Sequence, residues 1–363
     1  MKLNFSLFQV FLLLISTLGF SVVFAQEKDS LPTRIVHLGL AYPISTNGQD
    51  AGNYSNGVSL HALVGVSGTE RSVALSGLGN IIHQDARGAA VSGLFNYIGG
   101  SANGTQIAGL CNVNKGNSRG VQVAGLLNVQ NRHTGVAMAG VGNTAVEHSG
   151  LQLAGVFNIA KITKGVQVSG LLNKSTHAQH QLAGLINIAS KVEGVQIAGL
   201  INIADESDYP IGILNFIKNG EMQLGLSVDD MGSVLLNFRS GGRVTYGILG
   251  LGYNIDPSAR YVLEGGIGMH FPMRKNLRLN AELSSSALSN LKSEVYQKST
   301  AKVLGEWTLF PGFSVYAGPS LSYFGYKQGQ KELGGQRYFW KERAAQHYNG
   351  ILWGGTAGFQ INL

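Results

Sequence analysis

The sequence predicts an all-β fold on three observations. A short unit recurs about every 15 residues between residues 72 and 203, and a unit of this length holds one strand and one connection. The chain of 363 residues contains 51 Gly, 7 Pro and only 13% charged residues, whereas soluble domains carry roughly 25%. From about residue 220, apolar and polar residues alternate, as they do along strands with two different faces.

The N-terminal segment, residues 1–25, is typical of a secretory signal peptide. Lys2 precedes an apolar run from Leu7 to Phe24, and Val23-Phe24-Ala25 provides a cleavage site before Gln26. An uncleaved anchor is the alternative. No apolar stretch of about 20 residues follows, so we expect no transmembrane helix in the mature chain. Residues 26–71 are predicted to supply the first strands of a barrel.

The repeat array covers residues 72–217, and its clearest copy is Gly120–Asn128. With the Asn as position 0, position −3 is Gly in every copy. The copies end at Asn80, Asn96, Asn112, Asn128, Asn143, Asn158, Asn173, Asn187 and Asn202, with a degenerate copy at Asn215.

Each copy has a period of two. Position −5 is always apolar and position −7 is mostly Val or Leu, whereas the interleaved positions −6, −4 and 0 carry Gln or Ala, Ala or Ser, and Asn. The amide side chains are therefore the candidate site residues, either lining a lumen or stacking as a ladder. They are Gln106, Gln122, Gln152, Gln167, Gln181, Gln196, Asn112, Asn128, Asn158, Asn173, Asn187 and Asn202.

Two architectures fit this pattern. The first is an antiparallel transmembrane β-barrel of about 18–20 strands, with the apolar face toward lipid and the amide face toward the lumen. The alternative is a parallel β-solenoid over the repeats, followed by an eight-stranded C-terminal barrel. A straight nine-residue strand spans about 30 Å, but a connection of five or six residues reaches only about 20 Å. Chain reach therefore favours the single barrel, and the solenoid requires each unit to bend at its Gly.

The C-terminal region, residues 218–363, is predicted to form aromatic barrel strands. Tyr246–Tyr253 alternates, and Trp307, Trp340 and Trp353 lie near predicted strand ends, as in the aromatic girdles of membrane barrels. A soluble sandwich with an aromatic core is the alternative. The polar segment from Lys327 to Asn349 is predicted to be a solvated loop between the last two strands.

The units Gly120–Asn128, Gly150–Asn158 and Gly194–Asn202 resemble those of bacterial cell-envelope surface-repeat proteins, built from Gly-Val-Gln-x-x-Gly-Leu-x-Asn repeats. The last third resembles outer-membrane β-barrel proteins and ends Gly358–Leu363. The resemblance implies a place in the outer membrane of a Gram-negative-type bacterium. The partners it implies are outer-membrane lipid and the barrel-assembly machinery, and it implies no particular activity.

The residues that carry chemistry do not form a recognisable active site. The nine His are scattered, and the pair His177 and His180 has no accompanying carboxylate or Cys for a metal. Cys111 occupies an apolar position of the repeat, and the net charge of +7 is too diffuse for nucleic-acid binding. We therefore expect no enzyme, no cofactor and no metal. Two functions remain open: a pore-like outer-membrane barrel, or a structural or adhesive surface protein that presents its amide ladder to partners.

Overall fold

The computed structural model describes residues 31–292, 295–327, 330, 333, 338–343 and 347–363. The predicted signal peptide, residues 1–25, lies outside these residues. In the described part of the chain the strands form two sheets, one parallel and one antiparallel, with two short 3-10 helices at Gly48–Asn53 and Pro257–Ala259. No helix among these residues has the length and apolar character needed to cross a membrane.

The parallel sheet contains the N-terminal strands and the repeats. Its strands are β1 (Thr33–Ala41), β2 (Ile44–Ser45), β3 (Ser55–His61), β4 (Val64–Ser67), β5 (Thr69–Ser76), β6 (Gly79–Ile82), β7 (Ala86–Ser92), β8 (Phe95–Ile98), β9 (Ala102–Ala108), β10 (Cys111–Asn114), β11 (Asn117–Ala124), β12 (Leu127–Ala139), β13 (Gly142–Ala154), β14 (Phe157–Ser169), β15 (Leu172–Ala183), β16 (Ile186–Ala198), β17 (Ile201–Ile211) and β18 (Leu214–Ile217).

These strands wind into a β-solenoid in which each repeat is one coil. Strands β12, β13 and β14 pair in parallel, and equivalent repeat positions lie side by side: Asn128 beside Asn143, and Asn143 beside Asn158. Because every coil repeats the register of the previous one, each position of the unit forms a row along the solenoid. Only the short strand β2 pairs antiparallel, with β1.

Two glycines bend each of six successive coils, whose first glycines run from Gly88 to Gly165, as Gly150 and Gly155 illustrate. Gly150 has a positive φ of 123°, a conformation that residues with a Cβ seldom adopt. At Gly155 a Cβ would overlap the carbonyl oxygen of Gly140 in the preceding coil. These positions therefore need Gly, because the chain turns there while its backbone packs closely against the next coil.

The all-β prediction is confirmed, and the architecture is the alternative one, a solenoid followed by a small barrel. The single barrel of about 18–20 antiparallel strands is wrong, because the repeats pair in parallel. The chain-reach argument assumed a straight strand, whereas the glycine corners return each coil to its starting side. Residues 33–71 likewise belong to the solenoid and supply no barrel strands, since β1 pairs in parallel with β3, and β3 pairs in parallel with β5.

The antiparallel sheet is a closed barrel of eight strands, with one short extra strand. Its strands are β19 (Glu221–Asp229), β20 (Ser233–Gly241), β21 (Thr245–Asn254), β22 (Tyr261–Arg274), β23 (Leu277–Ser289), β24 (Val295–Phe310), β25 (Phe313–Lys327), β26 (Tyr338–Arg343) and β27 (His347–Asn362). Pairing of β19 with β27 closes the barrel, and β26 pairs only with β27. The described strands between Glu221 and Asn362 thus form a closed eight-stranded barrel.

The last coil of the solenoid contacts the barrel at the start of β21. Thr245 Oγ1 donates a hydrogen bond of 2.7 Å to the carbonyl oxygen of Pro210. Asn215 Nδ2 donates to the carbonyl oxygen of Ser240 at 3.0 Å. A Cβ on Gly247 would overlap the carbonyl oxygens of Gly212 and Ile213. The two parts are therefore in direct backbone contact.

Candidate functional site: the amide ladders and the barrel interior

The Asn residues of the repeats form one continuous ladder inside the solenoid. In each coil, Asn Nδ2 donates to Oδ1 of the Asn one coil further on, at 2.8–3.0 Å from Asn80 to Asn215. The same Nδ2 also donates to a backbone carbonyl, as Asn158 does to Val168 at 2.8 Å. Asn fits this position because a carboxamide offers two donor hydrogens and one acceptor oxygen.

The Gln residues form a second, interrupted ladder beside the first. Nε2 of Gln167, Gln181 and Gln196 donates to Oε1 of the preceding Gln at 2.8–3.0 Å, starting from Gln152. Ala137 occupies the equivalent position between Gln122 and Gln152. Gln122 accepts instead from Gln130 of its own coil, and Gln106 is also buried.

All twelve predicted site residues are buried, at no more than 4% exposed. The structure brings the six Asn together, and it places four of the six Gln in one run. The Asn amides therefore satisfy one another within the solenoid, and buried amides need such partners to avoid a desolvation cost. The Gln amides are satisfied only in part, since Gln106 Oε1, Gln122 Nε2 and Gln152 Nε2 are buried without a partner. The hypothesis that the ladder is presented to partners is wrong, because the amide face points inward and the apolar face points outward.

Buried His and Glu side chains accompany the ladders. His133 and His148 stack one coil apart, with ring centroids 5.2 Å apart. Burial lowers the pKa of His133 to about 4 and that of His148 to about 3, so both rings are neutral at pH 7. Near the N-terminal end, burial raises the pKa of Glu70 to about 7, although Ser59 and Asn56 donate to its carboxyl group.

The barrel interior contains a network of buried charges. Arg239 Nε donates to Glu282 Oε1 at 2.9 Å, and the hydroxyl of Tyr246 donates to the same oxygen at 2.9 Å. Lys302 pairs with Glu264 at 2.6 Å and lies 3.9 Å from Glu282. A second group joins Arg278 to Glu306 at 2.8 Å and to Glu221 at 2.7 Å.

An apolar cluster fills the barrel interior at the opposite end from the solenoid contact. Its buried members are Leu235, Ala259, Val262, Leu288, Tyr296, Phe324, Tyr326, Leu333 and Leu352. A space of about 10 Å³ remains beside Glu264, Lys298 and Lys302, enough for about one water molecule. Side chains therefore fill the barrel across its interior, with charges in the middle and apolar groups at one end.

The outer surface of the barrel is apolar. Leu263, Leu283 and Trp353 are 53–68% exposed, although each is flanked along its strand by inward-facing residues that are buried or glycine. The other exposed apolar side chains of these strands include Leu226, Val234, Leu236, Leu251, Ile267, Met269, Phe271, Leu279, Val303, Trp307, Leu321, Tyr323, Phe359 and Ile361. The barrel thus has buried charges in the middle of its interior and mainly apolar side chains on its exterior.

Sequence reasoning missed the buried charges of the barrel. The signal was present, because Lys298, Lys302 and Glu306 are spaced by four in β24 and therefore share one face. The accompanying apolar residues on the other face, such as Val303 and Trp307, marked which side was outward. The buried His133 and His148 were also missed, since turn-like composition around them obscured the strand.

The candidate metal ligands and the single cysteine can be located in the structure. No group of three or more His, Cys, Asp or Glu among them is arranged to hold a metal ion. Cys111 is a half-buried free thiol on β10, and His177 and His180 both lie on β15 and are not in a turn. The chain matches no protein-family model, no curated protein and no solved structure among those compared.

Proposed function

We propose that this chain is an outer-membrane protein whose eight-stranded barrel is a closed anchor for the solenoid. The observation that carries the proposal is the arrangement of the barrel strands, with charges inside and a continuous apolar surface outside. Membrane barrels have this pattern because lipid solvates their exterior. Strands of 9–16 residues are long enough, since about 9–11 tilted residues cross the hydrocarbon core.

The lengths of the strand connections support an orientation. Three connections on the solenoid side span only two or three residues, namely 242–244, 275–276 and 311–312. On the other side the connections are 230–232, 255–260 and 290–294, and residues 328–346, which include β26, separate β25 from β27. In outer-membrane barrels the short turns are periplasmic and the longer loops extracellular. We therefore place the solenoid on the periplasmic side, attached to the inner leaflet end of the barrel.

The filled interior supports an anchor over a pore. Arg239, Glu282 and Lys302 occupy the middle of the barrel and are paired with one another or with neighbours. A solute would have to break these buried ion pairs and displace the apolar cluster. The buried ladder likewise supports a structural solenoid over one that binds partners through its amides.

The proposal can be tested by the fluorescence of Trp307 and Trp353, which are 59% and 68% exposed on the barrel exterior. The full chain carrying Trp340→Phe would be folded into vesicles that contain lipids brominated along the acyl chain. We expect bromine to quench both remaining tryptophans strongly, and aqueous iodide to quench them weakly. Strong iodide quenching with no bromine effect would refute a transmembrane barrel.

The closed state of the barrel needs a separate measurement. The same preparation in a planar bilayer should show no steady single-channel conductance. A stable, reproducible conductance from the pure protein would contradict the anchor and restore the pore-like function, whereas the tryptophan result would still stand.

A further inference from the structure

The solenoid carries its own apolar surface on one side, although its interior is polar. Position −2 of each unit lies at a glycine corner and points outward. Its side chains are 36–46% exposed in nearly every coil, at Leu63, Leu78, Leu94, Leu110, Leu126, Val156, Leu171, Leu185 and Leu200. Successive coils are about 4.8 Å apart, so this corner row extends about 43 Å along the solenoid.

Apolar residues at two further positions widen the corner row into a face. Position −5 contributes side chains such as Leu75, Met138 and Ile197, which are 37–40% exposed, and position +1 contributes others such as Val129 and Ile159. Lys174 is the one charged residue at these three positions in the repeats. A contiguous apolar area of this extent is unusual on a protein that is surrounded by water.

The charged residues of the solenoid lie on a different side of each coil. Arg132 and Glu147 occupy position +4, and Lys164 occupies position +6. Lys164 and Arg132 pair with Glu147 across coils at 2.8 and 3.6 Å, with the basic side chains about two-thirds exposed. The solenoid is therefore amphipathic across its width, with one face suited to water and one to an apolar phase.

The corner row ends on the outer wall of the barrel. Its last member, Ile213, touches Gly247, which faces outward because its neighbours Tyr246 and Ile248 are buried inside. Gly247 pairs with Ile267, and Leu249 is the next outward residue of β21. Where the last coil contacts the barrel wall, the outward residues of the barrel are small or polar, namely Ser240, Thr245 and Gly247. Apolar outward residues adjoin this contact. The apolar side of the solenoid is thus continuous with the apolar exterior of the barrel.

We propose that this apolar face lies against the lipid of the membrane that the barrel spans, so that the solenoid extends along the membrane surface with its charged side in water. The inference rests on the proposed transmembrane barrel. It identifies a lipid surface as the occupant, because the face is continuous with the lipid-facing wall and its charged residues are segregated elsewhere. Amphipathic elements of this kind bind at the boundary between headgroups and acyl chains.

Spin labels on single cysteines test the placement in the full chain carrying Cys111→Ala. The labelled positions would be Leu126→Cys in the corner row, Thr134→Cys on the charged side of the same coil, and Leu263→Cys on the barrel wall. Oxygen concentrates in the acyl region, whereas a water-soluble nickel chelate does not enter it. In vesicles we expect the labels at 126 and 263 to be accessible to oxygen and protected from the nickel chelate. We expect the label at 134 to be accessible to the nickel chelate and less accessible to oxygen.

The outcomes separate the two proposals. A label at 263 in lipid with a label at 126 in water would overturn the inference and leave the barrel intact. A label at 126 shielded from both reagents would indicate a protein contact, such as a second copy, and would also overturn it. If the label at 263 were in water, the transmembrane barrel itself would fail. Repeating the experiment with Leu171→Cys, three coils closer to the barrel, guards against a local effect of the label.

Discussion

Asn158 is joined to Asn173, one coil further along, by a hydrogen bond of 3.0 Å from Nδ2 to Oδ1. Its other hydrogen bonds reach the Val168 carbonyl at 2.8 Å and Asn143 Nδ2 at 2.8 Å. Asn158→Ala would remove the donor to Asn173 Oδ1 and to the Val168 carbonyl oxygen, and the acceptor of one Asn143 hydrogen, while Asn143 Nδ2 keeps its hydrogen bond to the Leu153 carbonyl oxygen. Because each buried group that loses its partner costs about 1–3 kcal/mol, we expect a loss of about 2–5 kcal/mol in the free energy of unfolding of the solenoid.

Urea unfolding followed by circular dichroism, in a fixed detergent, would measure this loss. Asn131→Ala is the matched control, because Asn131 is exposed in a neighbouring coil and lies outside the ladder. A ladder substitution no more harmful than the control would show that the amide chain does not stabilise the coils.

The glycine corners should tolerate no side chain. In Gly155→Ala the new Cβ would overlap the Gly140 carbonyl oxygen, so the coils must separate locally. We expect destabilisation of more than about 1 kcal/mol, larger than the ordinary effect of a Gly to Ala change. Gly265→Ala is the control, since a Cβ there meets no atom within 4 Å. Equal unfolding midpoints for the two variants would contradict the close packing of the corners.

The stability of the solenoid should fall as the pH is lowered from about 6.5 to 4. His133 and His148 have lowered pKa values of about 4 and 3, so the unfolded chain binds protons at a higher pH than the folded chain does. The shifts correspond to roughly 3 kcal/mol for His133 and roughly 5 kcal/mol for His148, present at pH 7 and lost as the pH falls through the folded pKa values. Glu70 acts in the opposite direction, since its raised pKa lowers stability as the pH rises from 4.5 to 7.

A double variant isolates the contribution of the two histidines. Thr163, Ala178 and Val192 occupy the same row in later coils, so His133→Thr with His148→Thr uses a side chain that the row accommodates. The slope of unfolding free energy against pH between 4 and 6.5 should become much smaller than in the unchanged protein, with Glu70 present in both. An identical slope would show that these rings are not the groups that titrate.

Removing one member of a buried ion pair should destabilise the barrel. Glu282→Ala would leave Arg239 and Lys302 without a partner that they now share, at 2.9 and 3.9 Å. Removing one member of a buried ion pair costs about 3–5 kcal/mol. We expect the barrel of this variant to unfold in detergent at a clearly lower temperature than the barrel of the unchanged protein. Ser285→Ala, on the outward face of the same strand, is the control and should unfold like the unchanged protein.

The sequence predicted the elements of this fold better than their arrangement. The period of two around Val123, Ala124 and Asn128 located the strands and their two faces, because alternation depends only on local geometry. It could not distinguish the two architectures, since a solenoid with an amide interior and a lipid-facing barrel produce the same alternation. The direction of pairing depends on how sharply Gly150 and Gly155 turn the chain, which is a property of packing between coils.

The barrel interior was predictable in principle from β24. Lys298, Lys302 and Glu306 share a face opposite Val303 and Trp307, and this places charges inside an apolar cylinder. The sequence could not predict the partner of each charge. Arg239 and Glu282, for example, are 43 residues apart and meet only across the closed barrel.

The parallel winding of the repeats is tested most directly by disulfide formation between two cysteine pairs, each in the chain carrying Cys111→Ala. Val136→Cys with Leu151→Cys joins positions that are partners in adjacent parallel coils, within the distance that a disulfide requires. Val136→Cys with Phe157→Cys joins positions that an antiparallel hairpin turning at residues 144–149 would place opposite each other. Peptide mapping after mild oxidation should find the first pair linked and the second pair free. A linked second pair with a free first pair would contradict the solenoid.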